Sequence, residues 1–332
     1  AVSGEFEKDA EGNSQKMAEG ADLLLAFGVR FDDRVTGKVE KFCEHGTIVH
    51  IDIDPSEINK NRKVALPVVS EIRYALEQLA DMISERPLQK KFTAWQKQIA
   101  EWKTKAPFGY RVTDEVLKSQ HIKDHLDGSE DEVILPQMVI EMLYELTGGE
   151  AILTTGVGQH QMWAGQYYLS DKPRQLITSA GLGAMGFGLP AAIGAKLAEP
   201  DSPVFAVCGD GGFQMNIQEL ATLRRYQIPV KILLLDNAML GLVRQWQELF
   251  FDGNYSEVDL SDNPDFVEVA NAFGIEAFGI ERREEVDGAI DRLINARGPI
   301  LAHVRIDPEE NVWPLVPPGK SNAEMMEKRH DA

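Results

Sequence analysis

The stretch VFAVCGDGGF at residues 204–213, followed by KILLLDNAMLG at residues 231–241, decides the fold. Each opens as an apolar run of strand length and ends in Gly, Asp or Asn. Strands buried on both faces read this way, and such strands belong to parallel sheets covered by helices on both sides. In these sheets ligands bind beyond the carboxyl ends of the strands. Both polar clusters fall at such ends. Gly209-Asp210-Gly211-Gly212 closes the first run, and Asn237 follows the second, 27 residues after Asp210. A carboxylate and an amide oxygen are hard ligands suited to Mg²⁺, which keeps its other positions for phosphate and water. The glycines let backbone approach a phosphate, and a helix expected from Asn216 turns its positive end to the same crevice. One reading is a metal-bridged diphosphate site. The other is a pair of ordinary strand-end turns, where Gly, Asp and Asn are favoured anyway.

Two further segments weigh toward the first reading. GLGAMGFGLP, residues 181–190, packs four glycines into eight positions just before a helix pattern. That density costs conformational entropy unless backbone must approach something closely. TGVGQHQ, residues 155–161, is another glycine-rich strand end, carrying amide and imidazole groups.

Outward from these motifs, residues 133–310 alternate strand and helix patterns. Strands are predicted at Ala151–Thr154, Gln175–Ser179, Val204–Cys208, Val230–Leu235 and Ile300–Ile306. Helices are predicted at Gly188–Ala198, Asn216–Tyr226, Leu240–Phe250, Pro264–Phe273 and Glu284–Ala296. This is the pattern of a complete doubly wound α/β domain. Residues 21–85 read as a smaller α/β unit, with strands at Leu23–Gly28 and Thr47–Asp54. A helical stripe follows at Ile72, Leu76, Leu79 and Ile83. The size suggests part of a doubly wound domain. Residues 86–132 form a link, opened by a helix with Phe92, Trp95, Ile99 and Trp102 on one face and continuing as a polar crossing. Residues 311–332 form a tail without a core of its own.

The chain has 332 residues, with 34 Lys and Arg against 53 Asp and Glu, a net charge of −19. This balance argues against nucleic acid and anionic membranes as partners, since both are themselves negative. Two cysteines, Cys43 and Cys208, exclude a disulfide scaffold and a cysteine zinc module. Cys208 reads as buried and inert. No apolar run approaches the roughly 20 residues of a membrane helix. A cytoplasmic protein is the expectation. Ala1 opens a polar stretch, residues 1–20, with no apolar signal-peptide core. A strand begins almost at once at Leu23, so the expectation is a chain whose front is missing.

GDG followed after about 27 residues by Asn resembles the motif of thiamin-diphosphate enzymes. With GVGQHQMW, SAGLGAMGFGLPAAIG, MNIQELATL, LGLVRQWQELFF and VWPLVPPG, the chain resembles the catalytic subunit of the acetohydroxyacid (acetolactate) synthase family. GVRFDDRVTGK and IVHIDIDPSEINKN are similar to that family's FAD-binding middle domain. The resemblance spans residues 21–328. It implies a partial doubly wound FAD-type domain over 21–85, followed by a complete doubly wound thiamin-diphosphate-binding domain over 133–310.

Residue by residue, the resemblance implies that Asp210, Asn237 and the main-chain carbonyl of Met239 hold Mg²⁺ against the diphosphate. Val157, Gly158, Gln159, His160, Gly183, Gly211, Gly212 and Gly241 would lie along thiamin diphosphate. Met185 would be the wedge that bends it, and Trp246 would stand at the substrate mouth, where this family favours 2-ketobutyrate and binds herbicides. Gly28, Arg30, Asp32, Arg34, Val35, Asp52, Ile53 and Glu71 match FAD contacts, with Glu71 where Asp is more usual. Asp236, Ala238 and Leu242 stand where Asn, Gln and Met are common.

The implied chemistry decarboxylates pyruvate and joins the two-carbon unit to a second 2-oxoacid. The products are 2-acetolactate or 2-aceto-2-hydroxybutyrate, precursors of valine, leucine and isoleucine. A glutamate of an N-terminal domain activates the cofactor in this family, so the chain alone is expected to be inactive. A homo-oligomer, dimer or tetramer, and a small regulatory subunit are implied partners. A bacterial cytoplasm is the simpler location, with a plastid as the alternative. Rival readings are a glyoxylate carboligase-like enzyme and a non-catalytic binding module. His121 and His125, four apart, read as a solvated helix face. Asp32-Asp33 between Arg30 and Arg34 reads as an ion-paired loop.

Overall fold

The computed structural model describes residues 6–8, 14–16, 20–86, 92–105 and 133–326. The chain divides into two compact units, Ala1–Pro107 with Trp313–Ala332, and Phe108–Val312. His121, His125 and the polar crossing lie outside the described residues, as do most of the first twenty.

In the first unit, β1 (Phe6–Lys8) pairs antiparallel with β2 (Ser14–Lys16). The strands β3 (Leu23–Phe27), β4 (Thr47–Asp52) and β5 (Leu66–Val69) form a parallel sheet in that order. β5 is absent from the sequence expectation, because Pro67 interrupts a run of only four residues. A short helix, α1 (Asp33–Thr36), follows β3, and α2 (Ile72–Glu85) follows β5. The stripe on α2 forms the predicted helix, yet no residue of α2 is buried. On α3 (Thr93–Lys105), Trp95 and Trp102 pack edge to face at 5.5 Å. The segment after Trp313 groups with this unit rather than standing apart. Lys38 donates its N–H to the Lys320 carbonyl at 2.9 Å, and Asn322 reaches the Val35 carbonyl.

The second unit contains, in order, α4 (Pro136–Thr147), β6 (Ile152–Thr155), α5 (Gln159–Tyr167), β7 (Leu176–Thr178), α6 (Gly188–Ala198) and β8 (Val204–Gly209). Then come α7 (Asp210–Gln214), α8 (Glu219–Tyr226), β9 (Lys231–Asp236), α9 (Gly241–Phe250), α10 (Phe266–Ala272), β10 (Glu276–Ile280), α11 (Val286–Asn295) and β11 (Ile300–Arg305). Its six strands are all parallel, in the order β10-β11-β9-β8-β6-β7.

Alternation along the central strands feeds two cores. Phe205, Val207, Leu233 and Leu235 face one layer with Ile140, Leu143, Trp163 and Leu293. Val204, Ala206, Cys208, Ile232 and Leu234 face the other with Leu189, Leu220, Leu223 and Phe266. This is the doubly wound arrangement that the runs predict. Cys208 is buried, as expected, and burial pushes its thiol up to about 12.

One sequence-level detail changes. The long helix behind β8 starts at Glu219, not Asn216, and α7 begins at Asp210 itself. The crevice therefore faces the start of this short helix.

Candidate functional site

From β6 the chain passes outward to β7, then returns to β8 on the other side of β6. That reversal splays the loops beyond β6 and β8 and opens a crevice at their carboxyl ends. A cavity of about 230 Å³ lies there. Val157, Gly158, Gln159 and His160 enter it after β6, Gly183 and Met185 after β7, and Asp210, Gly211 and Gly212 after β8. Asn237, Met239 and Gly241 enter after β9. Every residue expected along a diphosphate cofactor or its metal thus converges on one cavity. Trp246 does not line it. That ring sits further along α9 and packs edge to face against Phe250 at 5.3 Å.

His160 is held in a glycine cradle. A Cβ on Gly209 would lie 2.8 Å from its Nδ1, and one on Gly156 would lie 3.0 Å from its Nε2. Burial pushes the imidazole down to about 4, and its buried Nε2 has no hydrogen-bond partner among the described residues. A neutral ring is therefore a polar group that still lacks its contact.

Beside it, Asn237 Nδ2 donates to Gln159 Oε1 at 3.1 Å. Gln159 Nε2 in turn donates to Gln245 Oε1 and to the Glu310 carbonyl, both at 3.1 Å. This relay fixes the Asn237 amide, leaving its oxygen as the free acceptor. Gly241 stands where a Cβ would collide with Gln159 Oε1. Between Asn237 and Met239, Ala238 takes the left-handed conformation, φ 53°, which reverses the chain at the cavity wall.

Asp210 is 3% exposed. Burial, then the neighbouring Asp236 carboxylate, raises it well above the usual carboxylate range. Burial also pushes Asp236 up, but the His303 Nε2 contact at 2.7 Å and the Ala238 N–H at 2.8 Å outweigh it, and its net shift is downward. Two adjoining carboxylates, Asp210 buried and Asp236 half-buried, with the single His303 imidazole on Asp236, favour a cation at Asp210. Among the described residues no group of three or more His, Cys, Asp or Glu gathers in metal-binding geometry. The available donors are instead one carboxylate, one amide oxygen and the Met239 carbonyl, the oxygen chemistry of Mg²⁺. With the glycine cradle and the orphaned His160 nitrogen, they fit a metal-bound diphosphate.

Residues 156–304 match the family model described as "Thiamine pyrophosphate enzyme, C-terminal TPP binding domain". Residues 7–79 match the one described as "Thiamine pyrophosphate enzyme, central domain". The chain carries two domains of the thiamine pyrophosphate enzymes. The second match begins within the first twenty residues, which the motifs alone left unmatched.

Among curated relatives, "Acetolactate synthase isozyme 2 large subunit" of Escherichia coli (strain K12) is 46% identical over 307 residues, covering 92% of this chain and 52% of its own. "Acetolactate synthase 2, chloroplastic" of Zea mays is 43% identical over 315 residues, covering 92% and 47%. "Acetolactate synthase 1, chloroplastic" of Nicotiana tabacum is 43% identical over 310 residues, covering 91% and 44%. The chain spans about half the length of the curated relatives it matches.

The residues matched to FAD contacts all stand at the carboxyl edge of the sheet of the first unit. Gly28 ends β3 with φ 62°, its N–H donating to the Ile51 carbonyl. Asp32 caps α1, accepting from the Arg34 and Val35 N–H groups, and pairs with Arg30 at 2.5 Å. Arg34 pairs with Asp33 at 2.8 Å, so the Asp32-Asp33 segment is the ion-paired loop expected. Asp52 ends β4 and accepts from the Asp54 N–H, Ile53 beside it is exposed, and Glu71 caps α2 by accepting from the Tyr74 N–H.

Sequence reasoning missed Trp163, whose buried indole Nε1 has no partner among the described residues and which lines the cavity, and Asn263, which reaches Asp210. Neither lies in a glycine-rich loop, and the signal for Asn263 is only that of a turn before Pro264.

Proposed function

We propose that this chain forms the cofactor-holding part of an acetolactate synthase catalytic subunit. The observation that carries the proposal is the convergence of Asp210, Asn237, Met239, His160 and Met185 on one cavity at the switch point of the sheet. The identity of 43–46% to acetolactate synthases over some nine-tenths of the chain supports it.

In this reading Asp210, Asn237 and the Met239 carbonyl hold Mg²⁺, and Gln159 with the neutral His160 meets the diphosphate. Met185, Leu235 and Ile306 give the apolar wall, and exclude water from the reacting end. Thiamin diphosphate, when bound, supplies the electron sink for decarboxylating a 2-oxoacid. The substrates are pyruvate and a second 2-oxoacid. FAD is assigned to the carboxyl edge of β3, β4 and β5, where Gly28, Arg30, Asp32 and Glu71 cluster.

Among the described residues Asp210 is the one carboxylate lining the cavity, and it is committed to the metal. Among the described residues the cavity therefore offers no second acid for proton transfer, and we expect the chain alone to bind without turning over. A homo-oligomer belongs to the proposal, as the likeness to acetolactate synthases implies.

Competition between nucleotide and thiamin ligands tests the proposal. By calorimetry with Mg²⁺, thiamin diphosphate should bind at least about tenfold more tightly than ADP, whose base has no use for the Met185 wall. Equal affinity would contradict the assignment.

A further inference from the structure

Asn263 stands in the segment that follows α9, half-buried, and its Nδ2 donates to Asp210 Oδ2 at 2.9 Å. The same nitrogen lies 3.5 Å from Asp236 Oδ1. On its other side, Asn263 Oδ1 accepts from Gln214 Nε2 at 2.7 Å. The two carboxylates, which accept and do not donate, orient the Asn263 amide with its N–H face toward them and its oxygen toward Gln214.

The backbone that carries Asn263 is laced to the loop after β9. Leu240 donates its N–H to the Val258 carbonyl at 2.8 Å, and Leu260 donates to the Ala238 carbonyl at 2.9 Å. Met239 bridges Asp259 between them, and the Asn263 N–H then returns to the Leu260 carbonyl at 3.0 Å. One strap thus fixes the main chain of Met239 and also delivers an amide to Asp210.

We propose that Asn263 is a positioning residue for the metal: it acts through Asp210, holding one carboxylate oxygen while the other faces the cation, and Gln214 holds Asn263. The inference rests on the thiamin-diphosphate reading above. Its physical basis is general. A ligating carboxylate that is itself hydrogen-bonded is fixed in orientation, and removing the partner weakens metal binding without touching the ligand. The amide donor also faces both Asp210 and Asp236 without adding a charge.

The test is Mn²⁺ binding to the full chain at saturating thiamin diphosphate, followed by the electron paramagnetic resonance of free Mn²⁺. Thermal unfolding of the ligand-free chain is measured alongside. Asn263→Ala and the isosteric Asn263→Asp should each weaken Mn²⁺ binding by about 10- to 100-fold. The midpoint of ligand-free unfolding should stay that of the wild type, which a merely structural role would lower.

Wild-type Mn²⁺ affinity in both variants, with binding lost in Asp210→Ala, overturns the inference and leaves the cofactor reading standing. Unchanged binding in Asp210→Ala as well overturns both. Where the Asn263 variants fail to fold, Gln214→Ala on the exposed side of the relay decides: weaker binding supports the inference, and unchanged affinity overturns it.

Discussion

Among the residues of the cavity, His160 carries the clearest measurable consequence. Its imidazole is pushed down to about 4 by burial, against an ordinary value near 6.5. Between those values the unfolded chain binds a proton that the fold refuses, so stability rises with pH across that window. It is lost as pH falls from about 6.5 toward about 4, by on the order of 3 kcal/mol when complete. Urea unfolding at a series of pH values should show this slope in the wild type and lack it in His160→Asn. Gly156, Gly158 and Gly209 around His160 are legible as glycine-rich strand ends, where backbone can approach something closely. What came close was not legible. It is partly the protein's own imidazole, and only coordinates show that Gly209 yields space to Nδ1.

At the scale of elements, the central strands of the second unit could be read because both their faces are buried, which leaves continuous apolar runs. The strand β10, EAFGI, escaped for the opposite reason: it is an edge strand, with Glu276 and Gly279 exposed. The helix α5 escaped because Gln159 and His160 are buried polar residues on its first turn, placed for the cavity rather than for an amphipathic face.

The junction of α6 with β6 gives a direct test of packing. Thr154 Oγ1 donates to the Gly188 carbonyl at 2.8 Å, and a Cβ on Gly188 would lie 2.7 Å from the Gly156 nitrogen. Alanine gains about 1 kcal/mol of helix propensity, yet here it meets backbone that cannot step aside. Gly188→Ala should therefore be net destabilising, by about 1–3 kcal/mol in chemical unfolding. A stabilised variant would show that α6 can move off the sheet.

For the whole molecule, the two units carry separate assignments. Every residue proposed to hold thiamin diphosphate or its metal lies between Phe108 and Val312, and every proposed FAD contact lies before Pro107. Residues 108–312, expressed alone, should bind thiamin diphosphate with Mg²⁺ and show no FAD fluorescence quenching. Quenching by that segment would overturn the separation. The sequence motifs placed the cavity residues on the right strand ends, since loop chemistry and strand order are local. The grouping of residues after Trp313 with the first unit depends on contacts across nearly the whole chain, such as Asn322 with Val35, and no local pattern carries it.

We propose that a metal held by Asp210 and Asn237 anchors a diphosphate in this cavity. Tryptophan fluorescence during titration with thiamin diphosphate, with and without Mg²⁺, tests it in the wild type and in Asp210→Ala. Trp163 on the cavity wall gives the probe. The account predicts saturable quenching that requires Mg²⁺ and disappears in the variant. No binding by the folded wild type, or equal binding without Mg²⁺ and in Asp210→Ala, would contradict it.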